Sequence, residues 1–234
     1  MSNTIELKAG DGHALAAYQA GPAQAAQALV VVQEIFGVNH HMRRVCDSFA
    51  AAGYAVVAPA LFDRAERGVE LGYGPDDIAR GRELRGRLSE AGIIADITAA
   101  AEALGAKPRG IVGYCFGGTV AWYGATRTQL FKAAVGWYGG GIAAARNERP
   151  NCPVQLHFGE TDASIPLSDV EAIRAAQPGV EVYIYPGAGH GFGCDERASF
   201  NAEAAKLAQS RTLEFFARHL EHFQAGCLYP LLAR

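Results

Sequence analysis

GYCFGG, residues 113–118, has the spacing glycine–x–nucleophile–x–glycine, with Cys115 where such turns usually carry serine. GIVGYC (110–115) before it reads as a short buried strand, and GGTVAWYGATR (117–127) begins a helix at once. A strand–turn–helix elbow lifts its nucleophile above the sheet at a strained backbone position. Gly113 and Gly117 leave room for the crossing chains. The helix start then faces a thiolate or an oxyanion. A buried cysteine at a tight packing turn is the plainer reading of this stretch alone, so the elbow must be judged by its partners.

The fold that carries such an elbow brings the partners in the order nucleophile, acid, histidine, each in a loop after a strand. VQLHFGETDASIP (154–166) supplies a strand and then a loop with Glu160 and Asp162. Spacing alone does not choose between the two acids, although Asp162 leaves a short turn after Gly159. VYIYPGAGHGFG (182–193) supplies a strand and then His190 among Gly187, Gly189 and Gly191. The remaining histidines read as hairpin (His13), helix-start (His40, His41), core (His157) or terminal-helix (His219, His222) residues.

Working outward, TIELKAGDGHALAAYQA (4–20) reads as a hairpin turning at Asp11-Gly12. ALVVVQ (28–33) is a buried strand, 41–53 a helix with a glycine stop, and YAVVAPALF (54–62) a strand. Residues 63–74 read as loop, followed by helices over 75–91 and 93–104. FKAAVGWYG (131–139) is a further strand, and a helix over 199–222 closes the core. Alternating strands and helices predict an α/β fold of one domain over 1–234, with a mostly parallel sheet and helices on both faces. The opening hairpin adds antiparallel strands at one edge.

The chain has 234 residues, of which 50% are hydrophobic and 19% charged, with a net charge of −3. No block of basic residues points to nucleic acid or a membrane surface, and no apolar run is long enough to span a bilayer. No signal-peptide pattern opens the chain, so a cytoplasmic location is expected. The five cysteines (Cys46, Cys115, Cys152, Cys194, Cys227) show no paired spacing, and free thiols are expected. His190 and Cys194 lack a third ligand nearby in sequence, so no metal is expected.

With these residues in place, the chain resembles the dienelactone hydrolase family of the α/β-hydrolase fold. The resemblance rests on QEIFGVN (33–39), GYCFGG, AVGWYGGG (134–141), FGETDASIP (158–166), GAGHGF (187–192) and SRTLEFF (210–216). It implies Cys115 as nucleophile, Asp162 as acid and His190 as base. Glu34 then matches an acid that holds the resting thiol, and the N–H groups of Ile35 and Phe116 match an oxyanion hole. It implies a small-molecule ester or lactone substrate, no cofactor, and a monomer or weak homo-oligomer. Members that cleave dienelactone carry an arginine four residues after the histidine, where this chain has Cys194, and a second on the helix after the variable loop, near Arg80 and Arg82. Cys194 therefore predicts a preference for neutral substrates, unless Arg197 reaches in from three residues further on. Trp137 and Tyr138 read either as pocket wall or as core. The rival readings are a redox sensor, with Cys194 resolving an oxidised Cys115, or a thioesterase or peptidase of the same fold.

Overall fold

A computed structural model describes residues 2–220; His222 and Cys227 lie outside the described residues. Eight strands form one sheet in the order β1-β2-β4-β3-β5-β6-β7-β8. Strands β1 (Asn3–Lys8) and β2 (Ala14–Ala20) are the expected antiparallel hairpin, and β2 pairs antiparallel with β4 (Ala55–Pro59). From β4 onward every neighbouring pair is parallel: β3 (Ala28–Val32), β5 (Arg109–Tyr114), β6 (Ala133–Trp137), β7 (Val154–Gly159) and β8 (Glu181–Tyr185). All five residues of β3 are buried, as its unbroken apolar run requires of a strand covered on two faces.

Successive side chains on a strand point to opposite faces. On β5, a Cβ at Gly110 would meet Phe216, while Ile111 packs on Gly124. Phe216 belongs to α6 (Ala202–Leu220) and Gly124 to α4 (Phe116–Arg127), so helices cover both faces. The others are α1 (His40–Ala51), α2 (Pro75–Gly86), α3 (Glu90–Ala103) and α5 (Leu167–Ala176). Asn39 caps α1 by accepting from Met42 N, and Ser89 caps α3 by accepting from Gly92 N.

The helix expected over 75–91 ends at Gly86, with Glu90 already opening α3, and two other elements differ from the sequence expectation. The strand expected over 54–62 stops at Pro59, which has no N–H for the ladder, and Leu61–Arg64 winds into one 3-10 turn. Helix α5 was not expected; only Val170 and Ile173 of its ten residues are buried, too few to write a clear apolar stripe.

Candidate active site

The parallel strands all end on the same edge of the sheet, and the loops beyond them converge there. Glu34 and Ile35 follow β3, Cys115 follows β5, Asp162 follows β7 and His190 follows β8. These strands are neighbours or near neighbours, so residues as much as 156 positions apart in the chain share one cleft.

Cys115 sits at φ 56° and ψ −117°, a conformation that side chains rarely adopt. Its N–H donates to Trp137 O at 2.9 Å, tying the elbow to β6. The flanking glycines leave no room for a methyl group. A Cβ at Gly113 would lie 1.8 Å from Gly117 O, one at Gly117 would lie 2.3 Å from Val32 O, and one at Gly118 would lie 2.5 Å from Trp137 O. The glycine pattern is therefore the consequence of three backbone segments in contact under α4.

His190 Nε2 lies 3.2 Å from Cys115 Sγ, and its Nδ1 lies 2.7 Å from Asp162 Oδ2. Asp162 Oδ1 accepts from Ser164 N at 2.8 Å and Ile165 N at 3.1 Å, which leaves Oδ2 aimed at the ring. Glu160, the rival acid, is exposed and accepts from Gly187 N at 2.8 Å. The histidine loop turns at two left-handed glycines, Gly187 (φ 67°) and Gly191 (φ 75°), and Ser199 Oγ donates to His190 O at 2.6 Å. Burial by itself would lower the affinity of His190 for its proton. The hydrogen bonds and charges of Asp162 and Cys115 outweigh it and hold the imidazole up to about 10.

Glu34 is fully buried, and burial raises its carboxyl above the ordinary range. Its Oε2 accepts from Tyr73 Oη at 3.2 Å, and Tyr73 Oη in turn accepts from Asn39 Nδ2 at 3.1 Å. Its Oε1 lies 3.8 Å from a guanidinium nitrogen of Arg197.

A cavity of about 370 Å³ opens over Cys115 and His190. Ile35 and Phe116 border it, as do Arg82, Arg85 and Arg197. Of the binding residues expected from sequence, Arg82 faces the cavity and four do not line it. Arg80 is drawn away by Glu66 and Glu83 on the exposed side. Trp137 is core, its indole N–H donating to Thr212 Oγ1 at 3.2 Å. Tyr138 is buried behind the site, its ring centre 5.3 Å from that of His190 and its backbone at φ 39°. Cys194 is fully buried, and burial pushes its thiol up to about 11. The loss of an arginine at 194 does not empty the cavity of positive charge, because Arg197 and Arg85 stand in its wall. Arg197 is held there by Phe36 and Tyr73, whose ring centres lie 5.6 Å and 6.0 Å from its guanidinium carbon. No periodicity marks a loop arginine as inward-facing; the aromatic partners are brought to it by the fold.

Among the described residues no helix is long and apolar enough to cross a membrane.

The family model described as "Dienelactone hydrolase family" matches residues 15–220. A protein of Synechocystis sp. named "Putative carboxymethylenebutenolidase" is 39% identical over 229 residues, covering 88% of this chain and 93% of its own. One of the same name from Azospirillum brasilense is 35% identical, covering 92% and 98%. The crystal structure titled "Putative Dienelactone Hydrolase" from Klebsiella pneumoniae is 33% identical, with a TM-score of 0.79 over 93% of this chain and 99% of its own.

Proposed function

The chain belongs to the dienelactone hydrolase family, and on that premise we propose that it cleaves small-molecule esters or lactones through Cys115, His190 and Asp162 by way of a thioester. The observation that carries this reading is the continuous line Cys115 Sγ–His190–Asp162, with contacts of 3.2 Å and 2.7 Å. The hydrogen bonds of His190 to Asp162 and Cys115 raise the imidazole, which suits a base that carries a proton between the sulfur and the leaving group.

In this mechanism the thiolate attacks the carbonyl carbon, and the carbonyl π pair moves onto oxygen. The N–H groups of Ile35 and Phe116 hold that oxyanion; one such donor contributes about 3–4 kcal/mol to the transition state. Both residues border the cavity beside Cys115, one in the loop after β3 and one at the start of α4, which supports the assignment. As the tetrahedral adduct collapses, the C–O bond breaks and His190 gives its proton to the leaving alkoxide. A water then loses a proton to His190 and attacks the thioester. The second collapse releases the carboxylic acid and returns the sulfur as thiolate beside the imidazolium. Asp162 keeps the ring in the tautomer and orientation this requires.

The cavity wall favours anionic substrates over neutral ones. Arg82, Arg85 and Arg197 line it, and a guanidinium binds a carboxylate through paired N–H donors. These arginines are the ground for setting an anionic preference against the neutral one expected from Cys194. The redox-sensor reading gives the Asp162–His190 pair nothing to do. The test is turnover of aryl esters and lactones by purified protein and by Cys115→Ala: activity lost only in the variant supports the reading, and activity kept by the variant overturns it.

A further inference from the structure

Behind the cavity, three side chains of metal-binding chemistry come together that the hydrolytic steps do not jointly use. Glu34 from the end of β3, His41 from α1 and Cys194 from the loop after β8 are all buried. One ligand atom of each lies within 4.8 Å of the other two. Their sequence separations show none of the short spacings of a metal motif, because the fold alone assembles them.

Two buried atoms of these side chains face an opposite charge without completing a hydrogen bond. Glu34 Oε1 and His41 Nδ1 are buried without a hydrogen bond. Asp195 Oδ1 faces His41 Nδ1 across 3.4 Å, and a guanidinium nitrogen of Arg197 lies 3.8 Å from Glu34 Oε1. Buried polar atoms without partners are uncommon and point to a ligand or to water. Here an imidazole nitrogen, a carboxylate oxygen and a thiol converge, which is a donor set suited to a borderline-soft divalent ion.

We propose that Glu34, His41 and Cys194 form a binding site for a zinc-class divalent cation, with a fourth position left to water. Bonds of about 2.0–2.3 Å at tetrahedral angles separate ligand atoms by roughly 3.5 Å, so closure needs side-chain movement on the order of 1 Å. Binding expels the proton of the Cys194 thiol to solvent and leaves the sulfur as thiolate. The carboxylate and thiolate together balance the charge of the ion. Arg197, which shares Glu34 Oε1 in the metal-free protein, gives up that contact and keeps its place over Phe36 and Tyr73. Entry is from the outer cleft, where His41 lies beside the half-exposed Asp195. Asp195 and Glu196 also group with His41 there and present carboxylates to an arriving cation. The site does not depend on Cys115 being the nucleophile.

The experiment is calorimetric titration of the full chain with Zn2+, made in a Cys115→Ala background so that the Cys115–His190 pair contributes no binding. One saturable equivalent is expected, and Mg2+, which prefers oxygen ligands, gives none. Cys194→Ser and His41→Asn, added singly to that background, each weaken binding by at least roughly tenfold. Cobalt(II) in place of zinc gives a near-ultraviolet thiolate-to-metal band that Cys194→Ser abolishes; this readout in the Cys115→Ala protein needs no folded His41 variant. The absence of saturable Zn2+ binding in the Cys115→Ala protein overturns the proposal. So does binding unchanged by Cys194→Ser, or a cobalt complex without the thiolate band.

Discussion

Arg197→Gln probes the charge that the structure puts in the cavity wall. The arginine side chain is 17% exposed, so water screens it weakly, and one of its buried guanidinium nitrogens has no hydrogen-bond partner. That nitrogen faces Glu34, while the residue also borders the cavity, where a substrate carboxylate can accept from the remaining guanidinium donors. A charge-assisted hydrogen bond of this type contributes about 1.5–3 kcal/mol, which is roughly tenfold to more than a hundredfold in kcat/KM. Glutamine keeps a donor and much of the stem but removes the charge. The assay compares kcat/KM for a carboxylate-bearing lactone with that for a neutral aryl ester, in parent and variant. Loss of Arg197 also removes a cation 3.8 Å from Glu34. That effect falls on both substrates and cancels in their ratio. The anionic-to-neutral ratio should drop by at least about tenfold, and the parent's ratio should fall with added salt while the variant's stays flatter. An unchanged ratio would refute the reasoning and leave Arg82 and Arg85 to be tested in the same way.

Three other perturbations have defined outcomes. Gly113→Ala sets a methyl group 1.8 Å from Gly117 O, so the elbow must open; denaturant unfolding should show a loss of about 1–3 kcal/mol or more, and ester turnover should fall further than stability does. Asp162→Asn removes the acceptor of the 2.7 Å contact with His190 and should lower kcat by orders of magnitude in a steady-state assay while KM changes little. The same contact governs stability against pH. His190 is held up to about 10 in the folded chain against an ordinary value of 6.5, so its contribution is complete below pH 6.5 and is lost as pH rises through about 10. Unfolding free energy should therefore decline across that window by at most about 1.36 kcal/mol per pH unit, and Asp162→Asn should flatten the decline in a denaturant series.

The parts of the site that were legible in the sequence are those whose geometry leaves a local mark. The elbow writes glycine at 113, 117 and 118 because each faces foreign backbone, and the histidine loop writes Gly187 and Gly191 because both take left-handed conformations. Buried parallel strands write unbroken apolar runs such as ALVVV, and the order of the loops after them follows from the sheet. The choice between Glu160 and Asp162 was not legible from spacing, since it depends on which carboxylate the Ser164 and Ile165 N–H groups orient. Arg197 was legible only as an alternative that reaches in, because its direction is set by Phe36 and Tyr73, 161 and 124 positions away. Arg80 and Arg82 look alike in the sequence; only the acids beside Arg80 turn it outward. Tyr73 and His41 gave no signal either, since their partners come from other loops.

In the proposed mechanism Cys115 carries the acyl group. Acid quench during turnover of a slow aryl ester, followed by intact-mass measurement and peptide mapping, tests it most directly. Burial raises the thiols of Cys46, Cys152 and Cys194, which makes them poor competitors. The expected result is a mass gain of one acyl group on the peptide containing Cys115, absent from Cys115→Ala. Steady turnover with no acyl adduct, or an adduct on another residue, would contradict the account.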